Sequence, residues 1–268
     1  ACDTALNRSG RWFDPEVVSA FLSVATRSDF GEQLFSHTLR QDLLAMESSY
    51  AGRSIDDSML DRIAFVFSHI IDAKSPWTCN HSANTAKLAA GIAKTMGYES
   101  NKQRFLNRAG LLHDIGKLGT SNLILDKPGR LNDDEFAEVS KHAAIGQRLL
   151  RRVSSFRAAA DIAGGHHERL DGTGYPLQLR GNQLSVSQRI LAVADVCEAL
   201  TADRPYRSGM PPEFILNLLK RESSITFCTN VVEALITYAE SSPIFDELKS
   251  TNMALELSAA PYISDLLR

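Results

Sequence analysis

Two short segments of this chain carry residues that can do chemistry. His166-His167-Glu168-Arg169-Leu170-Asp171-Gly172-Thr173-Gly174-Tyr175-Pro176 sets adjacent histidines beside carboxylates and runs straight into a glycine-rich turn. His113-Asp114-Ile115-Gly116-Lys117 offers a second adjacent ligand pair, closed by a glycine and a lysine. Imidazole and carboxylate together suit Mn, Fe or Zn, and a carboxylate can bridge two such ions. Two ions held about 3.5–4 Å apart activate a water and clamp a phosphoryl oxygen, which is what phosphodiester cleavage demands.

In this order, H-D-I-G-K and H-H-E-R-L-D-G-T-G-Y-P resemble the HD-GYP subgroup of the HD-domain phosphohydrolases, over roughly residues 60–225. Both motifs together are more specific than either alone. The resemblance implies an all-α fold: an HD-domain helical bundle, here with additional N-terminal helices. It also implies a metal-dependent phosphodiesterase that opens cyclic di-GMP to linear pGpG, with GMP as a further product, through a hydroxide bridging two divalent transition ions. Iron or manganese is expected, with zinc, nickel and cobalt as alternatives.

By position in the family pattern, His81 is the first ligand and His113 with Asp114 the second pair. His142 follows mid-helix, then the adjacent His166 and His167, and Asp195 completes the set. The simplest division puts His81, His113, Asp114 and Asp195 on one ion. His142, His166, His167 and the shared Asp114 then hold the other. An ionised Asp195 amid Ile190, Leu191, Val193 and Val196 is costly to bury unless a cation offsets it. His142, followed by Ala143, Ala144 and Ile145, could by itself be an ordinary core histidine.

Lys117 resembles the family's catalytic lysine and joins Asp114 as a catalytic candidate. It would either protonate the leaving oxygen or balance phosphate charge; a solvated surface lysine is the plain alternative. Gly172 and Gly174 permit close approaches denied to other residues, and Pro176 stiffens the turn. Tyr175 could stack on a guanine or brace its own loop, with bracing favoured. The substrate-binding candidates are Gly174, Tyr175, Arg180, Arg204 and Arg207, the last two in Thr201-Ala202-Asp203-Arg204-Pro205-Tyr206-Arg207. Guanidinium forks suit phosphates, although Asp203 and Glu213 could pair with these arginines instead. Arg130 is a weaker candidate.

Some members of the family carry a glutamate four positions before the first ligand histidine, where it helps to hold a third ion. Trp77 stands there and cannot coordinate, so two ions are expected, and the first cleavage should outrun any second. Rival readings are a 3′,3′-cyclic GMP-AMP hydrolase, a non-catalytic metal-bound cyclic di-GMP receptor, and a general nucleotide-cleaving HD enzyme. The intact ligand set, Lys117 and complete Gly-Tyr-Pro weigh against the receptor.

Helical periodicity positions these residues nearly throughout. Helices are expected over 15–26, 32–50, 57–75, 81–97, 102–114 (stopped by Gly116), 133–153, 155–167, 185–201, 212–221 and 230–240. Residues 1–58 form an N-terminal helical segment and 59–268 the HD-GYP domain. Phe13-Asp14-Pro15-Glu16-Val17-Val18-Ser19-Ala20 echoes Phe227-Cys228-Thr229-Asn230-Val231-Val232-Glu233-Ala234. The echo reads either as the remnant of a degenerate HD-like unit or as two helices sharing an apolar pattern.

The 268 residues carry a net charge of −3, so no global basic field attracts nucleic acid polymers, and phosphate must be drawn in locally. Four scattered cysteines form no C-x-x-C, which suits a reducing cytoplasm, and Cys79 near His81 reads as a packing residue. No apolar run approaches the ~20 residues of a membrane helix. Expected partners are a cyclic dinucleotide, attached sensory or regulatory domains, and diguanylate cyclase proteins of the GGDEF type; a homodimer is also admitted.

Overall fold

Helices dominate both compact units into which the chain divides, Ala1–Ile55 and Asp56–Arg268. The computed structural model describes residues 2–27, 29–48, 55–75, 80–127, 129–203 and 208–248. The expected boundary at residue 58 would fall inside the first turn of a helix that begins at Asp57.

The first unit holds α1 (Cys2–Arg8), α2 (Pro15–Ala25), α3 (Phe30–Leu34) and α4 (Leu39–Ser48). Asp14 caps α2 by accepting from the Glu16 amide at 2.7 Å, with Pro15 preset for the first turn. The single helix expected over 32–50 is broken at 35–38. There the Ser36 hydroxyl accepts from the Thr38 amide at 3.1 Å and lies 2.7 Å from the Thr38 hydroxyl. Such local hydroxyl bonds compete with the helix ladder.

The second unit is built from α5 (Asp57–Asp72), α6 (His81–Thr95), α7 (Ser100–Leu112), α8 (Asn122–Leu125), α9 (Asp133–Arg151), α10 (Arg157–Gly164), α11 (Val186–Thr201), α12 (Pro212–Glu222) and α13 (Thr229–Ser241). A last turn at 244–248 and the short α1 and α8 were not expected from periodicity. Helices α6 and α11 run through the centre, with α7, α10 and α13 against them. Leu88, Ile92, Leu106, Ile190, Leu191 and Leu235 form the core and are fully buried. Asn132 opens α9 with a reciprocal cap: its side chain accepts from the Glu135 amide, and Glu135 accepts from the Asn132 amide, both at 2.8 Å. Among the described residues there is no sheet, only isolated bridges, so the all-α expectation holds. None of their helices is long and apolar enough to cross a membrane.

The sequence echo between the two units is also an echo in backbone geometry. Gly10 sits at φ 70° and Ser224 at φ 69°. Gly10 donates to the Phe13 carbonyl at 2.9 Å and Ser224 to that of Phe227 at 2.8 Å. The bridge Ser9↔Phe13 matches Ser223↔Phe227, and α1–α2–α3 follow the same order and spacing as the end of α12, α13 and the turn at 244–248. The matched faces differ in burial. Val231 is fully buried, whereas its counterpart Val17 is 64% exposed.

Candidate metal centre

Five helices deliver one buried cluster. His81 is the first residue of α6, and Asn80 before it takes a left-handed backbone at φ 61°. His113 and Asp114 follow the end of α7, two residues short of the helix end expected from sequence. His142 lies mid-way along α9 and Asp195 along α11. Helix α10 stops at Gly164 rather than at 167, which leaves His166 and His167 in the turn that follows it.

Asp114 stands between two groups of nitrogens. Its Oδ2 lies 3.4 Å from Nε2 of both His81 and His113. Its Oδ1 lies 3.3 Å from His142 Nε2 and 3.8 Å from His166 Nε2. Asp195 is also shared: Oδ1 is 3.3 Å from His81 Nε2, and Oδ2 is 3.6 Å from His167 Nδ1. The expected division gave Asp195 to one ion only; the geometry sets it against both groups. Ligand atoms of Asp114, His142, His166 and His167 fall within 4.8 Å of one another, as do those of His81, His113 and Asp114.

The far ring nitrogens fix the tautomers. His113 and His142 each hold Nδ1 2.7 Å from the carbonyl three residues back, Gly110 and Val139. His166 does the same with Ala163, and His81 Nδ1 meets the Glu198 carboxylate. With Nδ1 bonded outward, each Nε2 points inward. The Nε2 atoms of His81 and His113 lie 3.2 Å apart, and those of His142 and His166 3.4 Å apart. Buried Asp114 Oδ1 has no hydrogen-bond donor. So many inward acceptors need positive charge among them, and the donor set fits divalent transition ions.

Burial would push the Asp114 carboxyl up, but Lys117 and His113 beside it hold it well below the ordinary range. Asp195 is likewise held low against burial, by His113 and His81. Burial and neighbouring histidines keep His166 neutral, and burial brings His167 down to about 3. His81 goes the other way: burial opposes the charged ring, but the Glu198 carboxylate and the two aspartates outweigh it.

Lys117 lies in a 3₁₀ turn, Ile115–Gly119, where residues three apart eclipse. Its amine therefore returns onto Asp114 Oδ2 at 2.5 Å, and the side chain stays 20% exposed at the edge of the cluster. Gly116 does not stop α7, which ends at Leu112; it lies inside this turn. A Cβ there would lie 1.9 Å from the His142 carbonyl oxygen, so the 3₁₀ turn can press against α9 only without one.

The Gly-Tyr-Pro loop folds back onto the histidine pair. A Cβ on Gly174 would stand 2.5 Å from the His167 carbonyl. The Tyr175 ring lies 4.6 Å from that of His167, tilted by 34°, a ring contact not foreseen from sequence. Arg180 closes the loop in a bridge with Asp171, exposed, its side chain over Gly172 and outside the cluster. Arg130 is exposed as well. Trp77, Cys79, Arg204 and Arg207 lie outside the described residues.

Two glutamates escaped the sequence reading. Glu168 is buried and accepts from the Leu177 amide at 2.6 Å and the Leu179 amide at 2.9 Å, so it pins the loop. Glu198 holds His81. Its signal was available: an acidic residue one turn beyond Asp195, on the same face of an apolar helix.

An all-helical bundle around a buried histidine–aspartate cluster defines the class, and the family model described as the HD domain matches residues 65–226. The chain belongs to the HD domain family, and within it to the HD-GYP group. It is 40% identical over 220 residues to 3′3′-cGAMP-specific phosphodiesterase 3 of Vibrio cholerae, covering 82% of this chain and 48% of that protein. It is 37% identical over 172 residues to a cyclic di-GMP phosphodiesterase of Pseudomonas aeruginosa, covering 62% of this chain and 41% of that protein. A crystal structure of a cyclic GMP-AMP-specific phosphodiesterase from V. cholerae aligns at TM-score 0.52 and 34% identity, over 90% of this chain and 56% of that one. The chain thus spans about half the length of the curated relatives it matches or less.

Proposed function

We propose that this chain is a metal-dependent phosphodiesterase that opens a guanine-containing cyclic dinucleotide, with cyclic di-GMP the first reading and linear pGpG the product. The observation that carries it is Asp114, whose two oxygens face two separate nitrogen groups. The reading assigns His81, His113, Asp114 and Asp195 to one divalent ion, and His142, His166, His167, Asp114 and the second oxygen of Asp195 to the other, iron or manganese in each. When bound, such ions lower the pKa of a water and offset charge on phosphoryl oxygens. Lys117, which touches Asp114, would protonate the departing 3′ oxygen or balance phosphate charge. Tyr175 holds the His167 ring in place, and Arg204 and Arg207 would take the second phosphate.

A second reading has support of a similar kind. Relatives named 3′3′-cGAMP-specific match at 33–41% identity and relatives named cyclic di-GMP phosphodiesterases at 32–39%. The test is hydrolysis of both dinucleotides, mixed at equal concentration with Mn(II)-loaded protein. Faster loss of cyclic di-GMP upholds the first reading, and faster loss of cyclic GMP-AMP replaces it with the second.

For the first unit, the shared bridges, positive φ positions and helix order support its reading as the remnant of a degenerate HD-like unit. It holds the match to the closing helices of such a unit and none of the seven ligand positions.

A further inference from the structure

Three of the four histidines whose Nε2 points into the cluster fix their other nitrogen locally. His113, His142 and His166 each reach the carbonyl three residues back in their own chain. His81 is different, because it is the first residue of α6 and has no helical turn behind it. Its Nδ1 is held instead by Glu198, which α11 brings in from 117 positions away. The same glutamate accepts from Asn84 Nδ2 through its other oxygen, at 3.4 Å, and so spans one turn of α6. One turn before Glu198 on α11, Asp195 reaches the opposite edge of the His81 ring, at 3.3 Å from Nε2. The ring is gripped from both sides by two carboxylates of a single helix. Glu198 itself is 1% exposed.

We infer that Glu198 is a positioning residue that holds His81 as an inward-facing ligand, and so controls occupancy of one ion position selectively. A carboxylate does more here than a carbonyl could. It fixes the ring's orientation, and it raises the basicity of the nitrogen that faces the ion. Among the described contacts Glu198 meets His81 and Asn84, and none joins it to His142, His166 or His167, so the second position should not feel its loss. The inference rests on the two-ion reading above.

Glu198→Gln keeps the volume and an oxygen for the Nδ1 proton while removing the charge. The measurement is a titration of the metal-stripped full chain with Mn(II) alone, counting free Mn(II) by electron paramagnetic resonance. The wild type should take up two ions. In Glu198→Gln one of them should bind 10–100-fold more weakly, the usual loss when such an outer partner is changed, and the other should be unaltered. Thermal unfolding of the metal-free protein should show the variant still folded. In a His81→Ala background the same substitution should change nothing further. Two ions bound at wild-type affinity in Glu198→Gln, or equal weakening of both positions, would overturn the inference. No substrate enters this experiment. A chain that binds two ions and shows this pattern yet cleaves no cyclic dinucleotide would refute the proposed function and leave Glu198's role intact.

Discussion

At Asp114 one side chain meets both nitrogen groups, so its removal should cost both ions at once. Asp114→Ala is expected to lose metal and turnover together, whereas His81→Ala should weaken one position; elemental analysis of the purified variants separates them. Undiminished metal in Asp114→Ala would remove the bridging role. Lys117 should behave oppositely. Its amine touches Asp114 and no other ligand candidate in the described contacts, so Lys117→Ala should keep its metal and lose turnover by roughly the 10²–10⁴-fold typical of a missing general acid. An unchanged rate at saturating substrate would return it to the solvated surface. Sequence could point to His113, Asp114, His166 and His167 because they carry their own motifs, and to His81, His142 and Asp195 only by position in the family pattern. Glu198 was legible only as an acidic residue one turn beyond Asp195; its partner, the His81 ring, lies 117 positions away, and no local spacing encodes that pair. Glu168 binds the Leu177 and Leu179 amides of its own loop, a backbone contact that side-chain pattern does not encode.

Among the elements, close approach decides more than propensity does. The 3₁₀ turn carrying Lys117 lies directly on α9 at His142, and Gly116 permits it. Gly116→Ala would force a shift against backbone, an overpacking cost of about 1–3 kcal/mol, and should move His142 as well. A lower unfolding midpoint with weaker metal binding is expected; wild-type values for both would show that the contact yields. The two similar turn-and-helix segments give a matched comparison. Val231→Asp buries a charge in the core and should unfold the protein, while Val17→Asp at the exposed counterpart should leave metal binding and turnover unchanged. Circular dichroism on both variants checks this, and loss of helix in Val17→Asp would contradict it. Helix existence was largely legible because apolar residues recur at helical spacing. The ends of α7 and α10, and the break at 35–38, were not, since side-chain hydroxyls and close packing set them rather than pattern.

Across the whole molecule, a net charge of −3 supplies no long-range attraction for an anion. Under the proposed function a dianionic ligand would therefore be drawn in locally, by metal and by arginines. Arg204→Ala with Arg207→Ala is expected to weaken substrate affinity and flatten its salt dependence, leaving metal uptake untouched. Unaltered affinity in the double variant would assign those arginines to the fold. The central claim is that the buried cluster, loaded with two ions, opens a cyclic dinucleotide to its linear form. It is met most directly by one time course: metal-stripped and Mn(II)-reloaded protein with cyclic di-GMP and, in parallel, cyclic GMP-AMP, products resolved by chromatography. The stripped protein should be inert, and the reloaded protein should accumulate the linear dinucleotide before any mononucleotide, because opening the ring discards the geometry that positioned the first bond. Turnover that survives metal removal, mononucleotide appearing without the linear intermediate, or no cleavage of either dinucleotide by the reloaded protein would contradict it.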